Sequence, residues 1–158
     1  MRIPKIYLET TMFNYYFDED REAHNDTITL FEEIKSGKYQ AYTSTYVVDE
    51  LDVADEPKRS QMLSLIKKYN IILLDADVKA RELADIYVDK GIIPPKYRYD
   101  GLHIAIAVIN DLEYIFSLNF QHINRQKTKT MTAYINIGEG YKPINICSPM
   151  EVIEREEE

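Results

Sequence analysis

Apolar positions in this chain alternate between short unbroken runs and stretches spaced at a helical period. Lys5–Leu8, Tyr39–Thr43, Asn70–Leu74, Glu113–Phe116 and Ile144–Cys147 are runs of the first kind and predict strands of a buried sheet. Between them, Met12–Phe17 predicts a short aromatic helix, and Thr27–Lys35 an amphipathic one carrying Ile28, Leu30, Phe31 and Ile34 inward, with Gly37 placed to stop it. A further helix spans Tyr46–Ala54, with Ser44 or Thr45 as its cap, and the next one starts after Pro57 and ends near Lys68. Val78–Asp89 is helical, with Gly91 as its stop. Asn124–Ile137 is the last helix, with Met131, Tyr134 and Ile135 expected inward.

One stretch has no period. In Tyr99–Asn110 the residues Leu102, Ile104, Ile106, Val108 and Ile109 cannot share one stripe at 3.6 residues per turn, so this helix is expected to be buried on most sides. Asp100 stands in its first turn, where a carboxylate is either a cap or part of a site. The alternation of strands and helices predicts an α/β domain with a mainly parallel central sheet flanked by helices, over residues 1–150, followed by an acidic tail at 151–158.

Composition narrows the picture only a little. The chain has 158 residues, 45% hydrophobic and 29% charged, as in ordinary globular proteins. No apolar run approaches bilayer length and no signal-peptide core is present, so no membrane association is expected. The lone Cys147 excludes an intramolecular disulfide and fits a cytoplasmic location. A net charge of −8 argues against non-specific binding to polyanions, but not against an enzyme that meets nucleic acid through metal ions and a local basic patch.

In parallel α/β sheets ligands bind beyond the carboxyl ends of the strands. That rule selects Glu9, after the first strand, and Asn119, after the strand Glu113–Phe116, with Asp100 opening the buried helix. Glu50 joins them by angle. With Val47 at zero, Leu51 and Ala54 lie roughly 40° and 20° to either side at about 100° per residue, and Glu50 lies roughly 60° away, at the edge of that apolar face. Carboxylates that converge repel one another unless a cation lies between them, and all-oxygen donors suit Mg²⁺ or Mn²⁺. No Gly-rich phosphate loop, G-x-S-x-G or zinc pattern competes. His103, one turn past Asp100, could face the same site, although a histidine in an apolar helix is more often a hydrogen-bonded core residue. His122 is expected to be structural or exposed. Lys96, Arg98, Arg125, Lys127 and Lys129 are the basic candidates for phosphate.

Lys-Ile-Tyr-Leu-Glu-Thr-Thr-Met-Phe, Val-Val-Asp-Glu-Leu, Asp-Gly-Leu-His-Ile-Ala-Ile-Ala and Ser-Leu-Asn-Phe-Gln-His-Ile resemble, in order and spacing, the PIN-domain family, whose prominent members are VapC-like toxins. The resemblance implies a PIN-like fold and a Mg²⁺- or Mn²⁺-dependent endoribonuclease acting on RNA. It implies Glu9, Glu50, Asp100 and Asn119 as catalytic and metal-holding residues, a toxin of a toxin–antitoxin pair with an antitoxin protein as partner, and a homodimer. Glu50 and Asp100 match the family's acids, whereas Glu9 stands where the family has Asp and Asn119 where many members have Asp. Those departures motivate the alternative expectation, a catalytically degenerate PIN-like protein that binds nucleic acid or a protein.

Overall fold

In the computed structural model, which describes residues 2–154, the strands Lys5–Leu8 (β1), Gln40–Ser44 (β2), Ile72–Leu74 (β3), Tyr114–Phe116 (β4) and Asn145–Cys147 (β5) form one sheet. Their order is β3-β2-β1-β4-β5 and every pairing is parallel, with Ile6 opposite both Ala41 and Tyr114. The central strand supplies Ile6, Tyr7 and Leu8, all fully buried.

Helices Thr10–Tyr15 (α1), His24–Lys35 (α2), Thr45–Leu51 (α3), Lys58–Lys68 (α4), Val78–Asp89 (α5), Arg98–Ile109 (α6) and Gln126–Gly138 (α7) connect the strands. Three of their starts follow from local hydrogen bonding. Ser44 Oγ accepts from the Val47 N–H at 3.3 Å to open α3, and Asp77 Oδ1 accepts from Ala80 at 2.8 Å to open α5. The α1 helix begins earlier than the aromatic pattern suggested, because Glu9 caps it.

The α6 helix is apolar all round, as its missing period implied, and Gly101 to Val108 are buried. It packs on α5, and Gly101 faces Tyr87 of that helix and Ile93 beyond it: an added Cβ would meet Ile93 Cγ1 at 3.4 Å and Tyr87 Cδ2 at 3.6 Å. Both are ordinary contact distances. Gly101→Ala is therefore expected to raise stability by about 0.5–1 kcal/mol through the lower entropy of its unfolded chain, as denaturant unfolding would show.

The structure corrects some of the sequence reading. The apolar run at Ile72–Leu74 is an edge strand, with Ile72 42% and Leu73 48% exposed, not a buried one. The α7 helix is turned the other way from its expected face. It buries Thr128, Thr132 and Asn136, while Met131, Tyr134 and Ile137 are exposed and Ile135 is only partly buried. Thr128 Oγ1 donates to the His122 carbonyl and Thr132 Oγ1 to the Thr128 carbonyl, each at 2.6 Å, and Asn136 accepts from the Tyr87 hydroxyl. Beyond β5, Val152 and Ile153 pack against the core and the Glu154 N–H donates to Glu33 Oε2 at 3.0 Å. Residues 155–158 of the expected acidic tail lie outside the described residues. Among the described residues no helix is long and apolar enough to cross a membrane.

Candidate functional site

From β1 the chain winds outward through β2 and β3, then returns to build β4 and β5 on the other side. The switch point therefore lies between the carboxyl ends of β1 and β4, where a crevice forms in such sheets. Glu9 follows β1 and Ser117–Asn119 follows β4.

Glu9 is 3% exposed and ties the two strand ends together. Its Oε1 accepts from Thr11 Oγ1 at 2.6 Å, Ser117 Oγ at 2.7 Å and the Thr11 N–H at 3.2 Å. Those hydroxyls in turn accept from the N–H groups of Leu118 and Asn119. Each hydroxyl has one proton to give, so the network has one consistent direction. Burial pushes the Glu9 carboxyl above its ordinary range, and the charge of His103 and these bonds offset only part of that.

Glu50 is directed inward from α3, and its Oε1 lies 2.5 Å from His103 Nε2. His103 is wholly buried, with its Nδ1 2.6 Å from the Tyr7 hydroxyl, which is 2.8 Å from Ser44 Oγ. Burial opposes a charge on the ring. The hydrogen bond and charge of Glu50, with the charges of Glu9 and Asp100, outweigh burial and raise the His103 pKa. Burial likewise opposes the Glu50 anion, but His103 leaves its carboxyl below the usual range. The neighbouring Thr10 hydroxyl also favours that anion, yet meets no acceptor at hydrogen-bond geometry. His103 is thus a hydrogen-bonded core residue whose protonated form the surrounding acids favour.

Asp100, half-buried in the first turn of α6, is not the cap. That position is Tyr97, which makes no side-chain cap bond. Burial raises the Asp100 carboxyl. The His103 charge, the Asn119 amide and His122 draw it back, and the charge of Glu50 adds to the rise. Asn119 also serves the turn that follows it, its Oδ1 accepting from the His122 N–H at 3.0 Å.

His122, expected to be structural or exposed, is buried and packed in the structure. It is 8% exposed, stacked on Tyr97 with ring centroids 4.2 Å apart, and both of its ring nitrogens are buried without a partner. Its position three residues after Asn119 was the available signal. Of the basic candidates, Arg98 pairs with Asp85, Arg125 donates to the Ile92 carbonyl and Thr128, and Lys127 donates to the Gly91 carbonyl. Lys129 lines a cleft with Cys147 and Glu151 near β5. Lys96 lies 5.8 Å from the centroid of the Tyr97 ring, the ring on which His122 stacks.

The donors fit a hard divalent ion by chemistry. Glu9 is buried and Asp100 half-buried, the charge of His103 favours both anions, and neither pairs with a lysine or arginine among the described residues. They do not form a closed cage in this conformation. Among the described residues no three His, Cys, Asp or Glu side chains gather closely enough to hold an ion.

The same fold occurs in solved toxin structures. It superposes on Mycobacterium tuberculosis VapC20, a Sarcin-Ricin loop cleaving toxin, with a TM-score of 0.57 and 10% identity, over 74% of this chain and 92% of that one. On DNA-bound VapBC from Salmonella typhimurium the TM-score is 0.56 and the identity 14%, over 93% of this chain and 99% of that one. At such identities the likeness is one of fold. No protein-family model matches the chain, and no curated protein matches it in sequence.

Proposed function

We propose, from its VapC-like PIN fold and the acids at its switch point, that this protein is a divalent-metal-dependent endoribonuclease. The observation that carries this reading is the pair of carboxyls, buried Glu9 and half-buried Asp100, which stand by the strand ends and form no ion pair with a lysine or arginine among the described residues. Glu9, Glu50, Asp100 and Asn119 would hold Mg²⁺ or Mn²⁺. When bound, such an ion makes water acidic enough to attack a phosphodiester in line and stabilises the charge that develops.

The chain's own residues hold the acids in place. Thr11 and Ser117 fix one oxygen of Glu9, so its extra methylene, compared with the family's Asp, reaches a defined position. His103 holds Glu50, and the Asn119 amide donates to Asp100 while its oxygen accepts from the His122 N–H. Lys96 is placed to meet a phosphate of the strand. A cytoplasmic toxin paired with an antitoxin, and assembled as a homodimer, is the biological setting in which we place this activity.

A second reading, a PIN-like binding module without catalysis, is favoured by the absence of a closed cage and by the hold of His103 on Glu50. One assay separates the two. The purified chain is incubated with a single-stranded RNA and Mn²⁺, and internal fragments are expected that vanish with EDTA and return with excess Mn²⁺. RNA that stays intact, together with no calorimetric Mn²⁺ binding, supports the binding module.

A further inference from the structure

Beside Glu50 the surface opens into a cavity of about 420 Å³, lined by Thr10, Tyr46, Asp49, Glu50, Val53 and Tyr99. We propose that this cavity is a base-reading subsite that takes a guanine of single-stranded RNA next to the bond to be cut. The inference rests on the ribonuclease reading and names the base that its site would select.

Position is the first argument. Glu50 is a wall of the cavity and also one of the acids of the site, so a strand with a phosphate at those acids has a neighbouring base within reach. Charge is the second. No lysine or arginine lines the cavity, and its two carboxylates repel phosphate while accepting N–H groups. The third is its apolar surface: α3 brings Tyr46 and α6 brings Tyr99, ring centroids 5.6 Å apart and tilted by 40°, with Tyr99 56% exposed. Such rings offer a face on which a base stacks.

Hydrogen bonding supplies an independent sign of a missing ligand. Thr10 lines the cavity and is 8% exposed, and its buried hydroxyl, which favours the neighbouring Glu50 anion, meets no partner at hydrogen-bond geometry. Buried hydroxyls are rarely left unmet. Asp49 is exposed at the rim and makes no side-chain hydrogen bond or ion pair among the described residues. A carboxylate only accepts, through two adjacent oxygens. Guanine alone presents two adjacent donors, N1–H and the N2 amino group, on its pairing edge. Adenine, cytosine and uracil each place an acceptor next to their donor and would set it against a carboxylate oxygen. An arginine from a protein partner also has adjacent donors and stacks on tyrosine. The base is favoured because the cavity adjoins the acids and exceeds a guanidinium in size.

The test titrates GMP, AMP, CMP and UMP in EDTA, by saturation-transfer NMR, so that binding is read without cleavage. Cleavage sites are mapped separately with Mn²⁺ on an RNA that contains every dinucleotide step. GMP is expected to bind about tenfold tighter than the others, the effect of one bidentate pair. Asp49→Asn should erase that preference, and Tyr99→Ala should weaken all four nucleotides alike. Both residues are exposed, so both variants are expected to fold. Equal binding of all four overturns the inference, and so does binding of arginine amide with no nucleotide bound. Cleavage without a guanine preference overturns the subsite and spares the ribonuclease. GMP selectivity without cleavage spares the subsite and overturns the ribonuclease.

Discussion

Asp100→Asn is expected to lower Mn²⁺-dependent RNA cleavage by about a hundredfold or more, with the fold unchanged. The substitution keeps shape and removes charge. Asp100 provides no cap bond for α6, so the helix loses nothing at its start. Burial raises the Asp100 carboxyl, meaning that its anion is held against a desolvation cost, and the neutral amide avoids that cost. The variant should therefore melt at or slightly above the temperature of the parent chain. It should also lose the rise in melting temperature that Mn²⁺ gives the parent. Unchanged cleavage by Asp100→Asn would remove the ribonuclease assignment.

His103→Ala should have the largest effect on stability of any site substitution, about 2–4 kcal/mol. The ring is wholly buried, and its removal leaves a cavity and takes a partner from both Tyr7 and Glu50. A pH signature accompanies the loss. The folded pKa of His103 is raised above its ordinary 6.5, so its stabilisation is fully present below about that pH and is lost as pH climbs through the folded value. Glu9 and Asp100 act in the same direction. Their folded pKa values are also raised, so the folded state loses stability as they ionise. Glu50 is lowered, and its contribution is present above its ordinary 4.5 and lost in stronger acid. Thermal unfolding of the parent chain should peak in mild acid and fall through neutrality. The alanine variant should flatten that fall, and an undiminished slope would show that His103 does not carry the charge assigned to it.

Much of the frame was readable because local pattern and burial agree there. The absence of any period in Leu102–Ile109 could mean only burial on all sides, and α6 is so buried. The angle of Glu50 at the edge of an apolar face placed it inward, where it meets His103. What escaped depends on neighbours distant in sequence. A three-residue apolar strand looks alike at the edge and the centre of a sheet, so Ile72 and Leu73 gave no sign of their exposure. Ser117 and Thr11 are ordinary polar residues until Glu9 is brought between them. His122 needed Tyr97 stacked on it before it belonged with Asp100.

The α7 helix inverts the rule that apolar residues face inward, and its inversion affects how the site is held. Apolar contact has no preferred direction, so a greasy helix can roll by a few degrees at little cost. Hydrogen bonds weaken steeply when bent. Thr128 and Asn136 therefore act as a key, fixing the rotation of α7 against the His122 carbonyl and the Tyr87 hydroxyl. One of those contacts is the backbone of the loop that presents Asn119 and His122. The rotation of α7 is thereby keyed to the rim of the acidic crevice, and a roll of the helix would strain the His122 carbonyl contact before any apolar one.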